Sequence, residues 1–208
     1  MKLKLKVCGM RQASNIAAVA ELQPDYLGFI FYQKSPRFIS GVSAELIKYV
    51  PSTIKTTGVF VNEDLERVKA YIFKYNLKAV QLHGQEDVVY CEALKPTGVE
   101  IIKAFGIDEN FDFSKLEAYL NVVDYFLFDT QTPDHGGSGK IFDWKLLTNY
   151  TFNKPYFLSG GIDLTHTTTI KNINDPRLYA VDVNSKFELE PGLKDVEKLR
   201  EFFKEMNS

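Results

Sequence analysis

The stretch Ile54-Lys55-Thr56-Thr57-Gly58-Val59-Phe60-Val61, then residues 63–75, then Ala79-Val80-Gln81-Leu82, decides the fold. Its outer pieces are short and rich in apolar and β-branched residues, and its middle carries Leu65, Val68, Ile72 and Tyr75 at steps of three and four. The pattern predicts a strand, an amphipathic helix and a second strand. A helical crossover returns the chain to run parallel to the first strand. Strands that read as nearly continuous apolar runs are those covered on both faces.

The same alternation continues in both directions. Strands are predicted over 3–7, 26–31, 54–61, 79–82, 99–104, 125–128, 156–158 and 178–183. Helices are predicted over 15–22 (capped by Ser14), 44–50 (capped by Ser43, ended by Pro51), 63–75, 87–95 (stopped by Pro96), 114–120, 143–147, 164–171 and 193–206. Eight strands and eight helices in 208 residues leave about 26 residues per unit, with no Pro/Gly/Ser-rich linker. The expected architecture is therefore α/β, a single (β/α)8 TIM barrel over residues 1–208. An open doubly wound sheet is the alternative if one or two of the weaker strands are false.

Composition narrows the function. The chain is 45% hydrophobic and 25% charged, which excludes a disordered protein, a collagen and a disulfide scaffold. Lys plus Arg is 25 against 27 Asp plus Glu, so no global charge draws the chain to nucleic acid or to an acidic membrane. Cys8 and Cys91 form no spaced framework, and the alternating Lys-Leu start lacks the apolar run of a secretory signal. Both thiols are expected reduced, in the cytoplasm. No run reaches the ~18 apolar residues of a membrane span. His83, His135 and His166 show no metal-ligand spacing, so no metal site is predicted.

Active sites of such barrels lie at the C-terminal ends of the strands. There the sequence places Cys8-Gly9, the Tyr32-to-Arg37 segment, Gln81 and His83, Asp129, Ser159-Gly160-Gly161, and Asn184-Ser185. Cys8 and Asp129 suit a base and acid pair if the thiol pKa is lowered and the carboxyl pKa is raised. Cys8 reads equally well as a small core residue, and Asp129 as a loop cap. Gly160-Gly161 with Asn184-Ser185 fits a phosphate cradle, the alternative being a plain tight turn, and Asp163 would cap the next helix. Gly136-Gly137-Ser138-Gly139-Lys140 fails the P-loop pattern, since Asp134 and Ile141 stand where Gly and Ser or Thr are required. It reads as a mobile lid or a surface loop. Arg37 suits a carboxylate clamp, though a lone arginine is more often a surface charge.

Lys6-Val7-Cys8-Gly9, Ser35-Pro36-Arg37-Phe38-Ile39-Ser40, Gly58-Val59-Phe60-Val61-Asn62, Gln81-Leu82-His83-Gly84, Asp129-Thr130, Gly136-Gly137-Ser138-Gly139-Lys140 with Phe142-Asp143-Trp144, Leu158-Ser159-Gly160-Gly161 and Val181-Asp182-Val183 together resemble phosphoribosylanthranilate isomerase. The motifs run in order over nearly the whole chain. The resemblance implies a single barrel acting in tryptophan biosynthesis without metal or organic cofactor. It implies an Amadori rearrangement of N-(5-phosphoribosyl)anthranilate to 1-(2-carboxyphenylamino)-1-deoxyribulose 5-phosphate. By position it makes Cys8 the general base, Asp129 the general acid, and Arg37 the holder of the anthranilate carboxylate. Gly160, Gly161, Asn184 and Ser185 then hold the phosphate, while Gln81 and Asp182 line the pocket. One departure stands out: Lys186 replaces a glycine in the loop after the eighth strand. The partner implied is a small phosphorylated substrate, with association with other tryptophan-pathway enzymes left open. The competing readings are another sugar-phosphate isomerase or epimerase, and a non-catalytic phosphate-binding barrel.

Overall fold

The computed structural model describes residues 2–131 and 142–208. Eight parallel strands close a barrel in chain order: β1 Lys4–Val7, β2 Tyr26–Ile30, β3 Lys55–Phe60, β4 Ala79–Leu82, β5 Glu100–Ile107, β6 Tyr125–Thr130, β7 Tyr156–Leu158 and β8 Leu178–Val183. Closure comes from β1 on β8, with Lys4 opposite Ala180 and Lys6 opposite Asp182. All eight predicted strands are present. β5 and β6 run further than predicted, so Asp129 lies inside β6, opposite Gly106 of β5.

The outer layer contains α1 Ala13–Ala20, α2 Gly41–Glu45, α3 Leu65–Tyr75, α4 Val88–Leu94, α5 Thr167–Lys171 and α6 Val196–Asn207. Asp64, Asp87 and Asp195 cap α3, α4 and α6 by accepting the N–H of Arg67, Tyr90 and Lys198. Neither Ser14 nor Ser43 stands at a helix N-cap position. α1 begins at Ala13 because Gln12 already stands extended and accepts the first helical bond from Ile16, and α2 begins two residues before Ser43. Pro96 does not stop the chain's coiling but sits in a 3₁₀ turn, Lys95–Thr97, that continues from α4.

After β5 and after β6 the predicted helices are 3₁₀ segments, Phe113–Tyr119 and Trp144–Asn149. Their apolar residues explain this. Phe113, Leu116 and Tyr119, like Trp144, Leu147 and Tyr150, recur at strict threes, which line one face at 3.0 residues per turn but drift at 3.6. Leu193 belongs to no helix. It opens β10 Leu193–Lys194, which pairs with β9 Glu188–Glu190 across Pro191-Gly192, and Gly192 takes φ +86° at the turn.

Period-two alternation sorts each strand between two cores. One face packs outward against the helices, as with Val7, Leu27, Val80, Phe126 and Val181. The other fills the barrel interior with Tyr26, Ala79, Ile102, Ala104, Leu127, Phe157 and Ala180. Two residues further along the inward phase, apolar gives way to polar. Ala79 is followed by Gln81 and His83, Leu127 by Asp129, Phe157 by Ser159, and Ala180 by Asp182. Among the described residues no helix is long and apolar enough to cross a membrane.

Candidate active site

The floor of the barrel mouth is built on Lys6. Its side chain is fully buried, and its ammonium donates to Asp182 Oδ1 at 2.8 Å and to Gln81 Oε1 at 2.8 Å. Burial opposes the Lys6 charge, yet Asp182 and Cys8 outweigh it and raise the pKa. The Ser159 hydroxyl lies 3.5 Å from Asp182 Oδ2.

Cys8 follows on the inward phase of β1. It is 3% exposed, and its N–H donates to Val183 O of β8 at 2.9 Å. Gly28 makes room for it, since a Cβ there would stand 2.7 Å from Cys8 Sγ. The lowered thiol pKa expected from the sequence is not found. Burial pushes the Cys8 thiol up, with Lys6 and Lys194 pulling it back down only in part.

Asp129 occupies the matching place on β6, with 16% of its side chain exposed. Its Oδ1 accepts the Thr130 N–H at 2.8 Å, and His83 Nε2 stands 3.4 Å from Oδ2. Gly160, at φ +92°, lets the loop after β7 come up against this carboxyl. A Cβ there would meet Thr130 N at 2.7 Å and Asp129 Oδ1 at 2.8 Å. Gly161 is also left-handed, at φ +62°. Asp163 caps the 3₁₀ turn beyond, accepting from Thr165 N at 2.9 Å.

Arg37 does hold a carboxylate, and it belongs to this chain. Its Nε donates to both Glu188 oxygens at 3.0 Å and its Nη2 to Oε2 at 2.7 Å. Among the described residues Nη1 has no hydrogen-bond partner. The Arg37 segment is brought in by a parallel bridge between Phe38 and Ile30. Lys194 completes the cluster, donating to Glu188 Oε1 at 2.6 Å and Asn184 Oδ1 at 2.7 Å. Burial pushes Lys194 down to about 8, although Glu188 and Cys8 oppose the shift. Burial acts to raise Glu188, but Arg37 and Lys194 win and hold it below its ordinary value. Gly9, at φ +79°, is the joint of this cluster, because a Cβ there would stand 2.6 Å from Asn184 Oδ1 and 2.8 Å from Arg37 Cδ.

The structure thus brings Cys8, Asp129, Gln81, Asp182, Gly160, Gly161, Arg37, Asn184 and Ser185 to the C-terminal end of the barrel. Asn184 serves Lys194 there, and Ser185 opens a short 3₁₀ turn, Ser185–Phe187. Lys186 is exposed and not at positive φ, so this loop has no need of glycine at that place. Gly136, Gly137, Ser138 and Gly139 lie outside the described residues. Sequence reasoning missed Lys6, Glu188 and Lys194. A charged residue on the inward phase of a barrel strand was the available signal for Lys6. Among the described residues no three His, Cys, Asp or Glu side chains are grouped to hold a metal ion.

A family model described as N-(5'phosphoribosyl)anthranilate (PRA) isomerase matches residues 5–205. The chain is 44% identical over 204 residues to an N-(5'-phosphoribosyl)anthranilate isomerase of Parabacteroides distasonis, covering 97% of this chain and 92% of that one. It superposes on the crystal structure of phosphoribosyl anthranilate isomerase from Thermotoga maritima with a TM-score of 0.87 and 34% identity, over 99% of this chain and 98% of that one. It is similar also to a phosphoribosyl anthranilate isomerase in complex with reduced 1-(o-carboxyphenylamino)-1-deoxyribulose 5-phosphate, with a TM-score of 0.84 and 31% identity, over 99% and 98% of the two chains.

Proposed function

The chain belongs to the N-(5'-phosphoribosyl)anthranilate isomerase family and is an isomerase of tryptophan biosynthesis, and from that premise we propose that Cys8 is its general base and Asp129 its general acid. The reaction is the Amadori rearrangement of N-(5-phosphoribosyl)anthranilate to 1-(2-carboxyphenylamino)-1-deoxyribulose 5-phosphate. The observation that carries the assignment is positional. The inward phases of β1 and β6 end in a thiol and a carboxyl at one rim, with the Lys6 ammonium beside the thiol.

Asp129 gives its proton to the ribose ring oxygen. The C1–O bond breaks toward that oxygen, and the anthranilate nitrogen lone pair forms the C1=N bond of a cationic Schiff base. Cys8 then removes the C2 proton. The released C–H pair becomes the C1=C2 bond, and the C=N π pair returns to nitrogen as the enolamine forms. Ketonisation places a proton on C1 and takes one from the C2 hydroxyl, which closes the balance. The buried thiol begins above its ordinary pKa. The cation formed by ring opening adds to Lys6 and Lys194 in favouring the thiolate, so the base is strongest when it is needed.

The phosphate is assigned to the backbone N–H groups around Gly160 and Gly161, with Asn184 and Ser185. The consecutive left-handed glycines support this, as does the phosphorylated ligand of the similar isomerase complex. Arg37 meets the anthranilate carboxylate through its Nη1 edge, since Glu188 occupies the rest of the fork. Gln81 and Asp182 line the pocket through Lys6. The free, buried cysteines support a reducing, cytoplasmic setting.

The fall of anthranilate-type fluorescence as substrate is consumed tests the roles. Cys8→Ser and Asp129→Asn are each expected to lower turnover by about 10²–10⁴-fold, the usual worth of a general base or acid. Both should leave the circular dichroism spectrum unchanged. Activity near that of the wild type in either variant would remove the corresponding role.

A further inference from the structure

The geometry points to His83 as the positioning residue of Asp129, held in a single tautomer by a hydrogen-bonded chain that starts at Lys6. The inference rests on the reading of Asp129 as the acid. Each link follows from donor and acceptor chemistry. An ammonium only donates, so the Gln81 atom it meets at 2.8 Å is the carbonyl Oε1. That fixes the amide, and Gln81 Nε2, which only donates, then faces His83 Nδ1 at 2.7 Å. Nδ1 therefore accepts, and the ring carries its proton on Nε2. This is the atom that stands 3.4 Å from Asp129 Oδ2.

The carboxyl is thus addressed at both oxygens, by the Thr130 N–H at Oδ1 and by the imidazole at Oδ2. At 3.4 Å the second contact is longer than an ordinary hydrogen bond, and such contacts tighten when substrate completes the site. The need for a second grip is visible in the surroundings. Asp129 and His83 both line a cavity of about 340 Å³ that Phe105, Phe111 and Tyr119 also line. A carboxyl released from His83 has that space to turn into. Lys6 also interacts with Cys8, so one buried cation serves the base directly and the acid through two side chains.

His83 touches no reacting atom in this scheme, so its removal should act on turnover and not on binding. In His83→Phe, kcat is expected to fall about 10²-fold, the cost of a misplaced group, with KM within about twofold. His83→Gln, whose Nε2–H reaches the same place, should recover most of the loss. Nitrogen-15 NMR of the imidazole rings at pH 8 should show His83 protonated at Nε2 in the wild type, and Gln81→Glu, which puts an acceptor against Nδ1, should move that proton to Nδ1. The NMR measurement decides the matter even if His83→Phe fails to fold. Wild-type kcat in His83→Phe, a His83→Gln variant no better than His83→Phe, or an Nδ1–H tautomer in the wild type would each overturn the inference while leaving Asp129 as the acid. An active Asp129→Asn enzyme would instead overturn the acid reading, and this inference with it.

Discussion

Around Cys8, four side chains brace one another. Arg37 is forked onto Glu188, Lys194 joins Glu188 to Asn184, and Gly9 lets Arg37 and Asn184 close over the end of β1. Around Asp129 the described residues supply one backbone N–H at 2.8 Å and one imidazole at 3.4 Å, beside a cavity. Both groups end the inward phase of a barrel strand, yet the two halves of the mouth differ in how finished they are. The Cys8 side is braced by ion pairs and hydrogen bonds within the chain. Among the described residues the Asp129 carboxyl is held by fewer and longer contacts. The difference also separates stability from activity. The Cys8 side stores buried charge pairs, whose disruption costs about 3–5 kcal/mol because one partner is left unpaired. Among the described residues Asp129 itself makes no pair with a lysine or arginine, although the buried Lys103–Glu86 pair lines the same cavity.

Arg37→Ala should expose that contrast most strongly. It strips Glu188 of its fork, so urea unfolding should show a loss of about 3 kcal/mol, and KM should rise as the carboxylate loses its holder. Asp129→Asn, unfolded in the same way, should lie within about 1 kcal/mol of the wild type, as partly exposed polar substitutions do. Equal losses in the two variants would break the comparison. Gly160→Ala is intermediate. It forces a Cβ toward Asp129 Oδ1 and leaves a non-glycine at φ +92°, a backbone cost of about 1–3 kcal/mol. Turnover should fall with it, because the Cβ crowds Thr130 and the Asp129 carboxyl together. Crystallographic overlay and kcat would read both effects.

The smallest effect depends on pH. Glu188 is held below its ordinary value of 4.5, so its pairs with Arg37 and Lys194 contribute stability that is present above that pH and lost as pH falls through the lowered value. The stability gap between wild type and Glu188→Gln should therefore be widest near neutrality and shrink in acid. A gap that does not change with pH would mean that Glu188 contributes packing alone.

Much of the barrel was legible from one rule. Each parallel strand is covered on both faces, so runs such as Ala79-Val80-Gln81-Leu82 stand out whatever their neighbours. The helices were less legible, because caps and turns depend on competition between adjacent residues. Ser14 lost its capping role to an extended Gln12, and the strict threes of Phe113, Leu116 and Tyr119 read as 3₁₀ only when the period is tested at three as well as at 3.6. The site divides in the same way. Cys8 and Asp129 announce themselves as polar residues ending apolar strands. Lys6 and Glu188 do not, because their meaning lies in partners far along the chain, 176 residues away for Lys6 and Asp182 and 151 for Glu188 and Arg37, and Lys194 depends on Glu188. The β9–β10 hairpin that carries Glu188 and Lys194 was signalled only by Pro191-Gly192, inside a stretch otherwise read as running into the last helix.

The division of labour between the two sides is tested most directly by substrate carrying deuterium at C2, followed in single turnovers of wild type, Cys8→Ser and Asp129→Asn. If Cys8 takes the C2 proton and Asp129 opens the ring, Cys8→Ser should show a large primary isotope effect, because C–H cleavage limits it. Asp129→Asn should then show almost none, because ring opening limits it. A large effect in Asp129→Asn with none in Cys8→Ser would reverse the two roles and contradict the account.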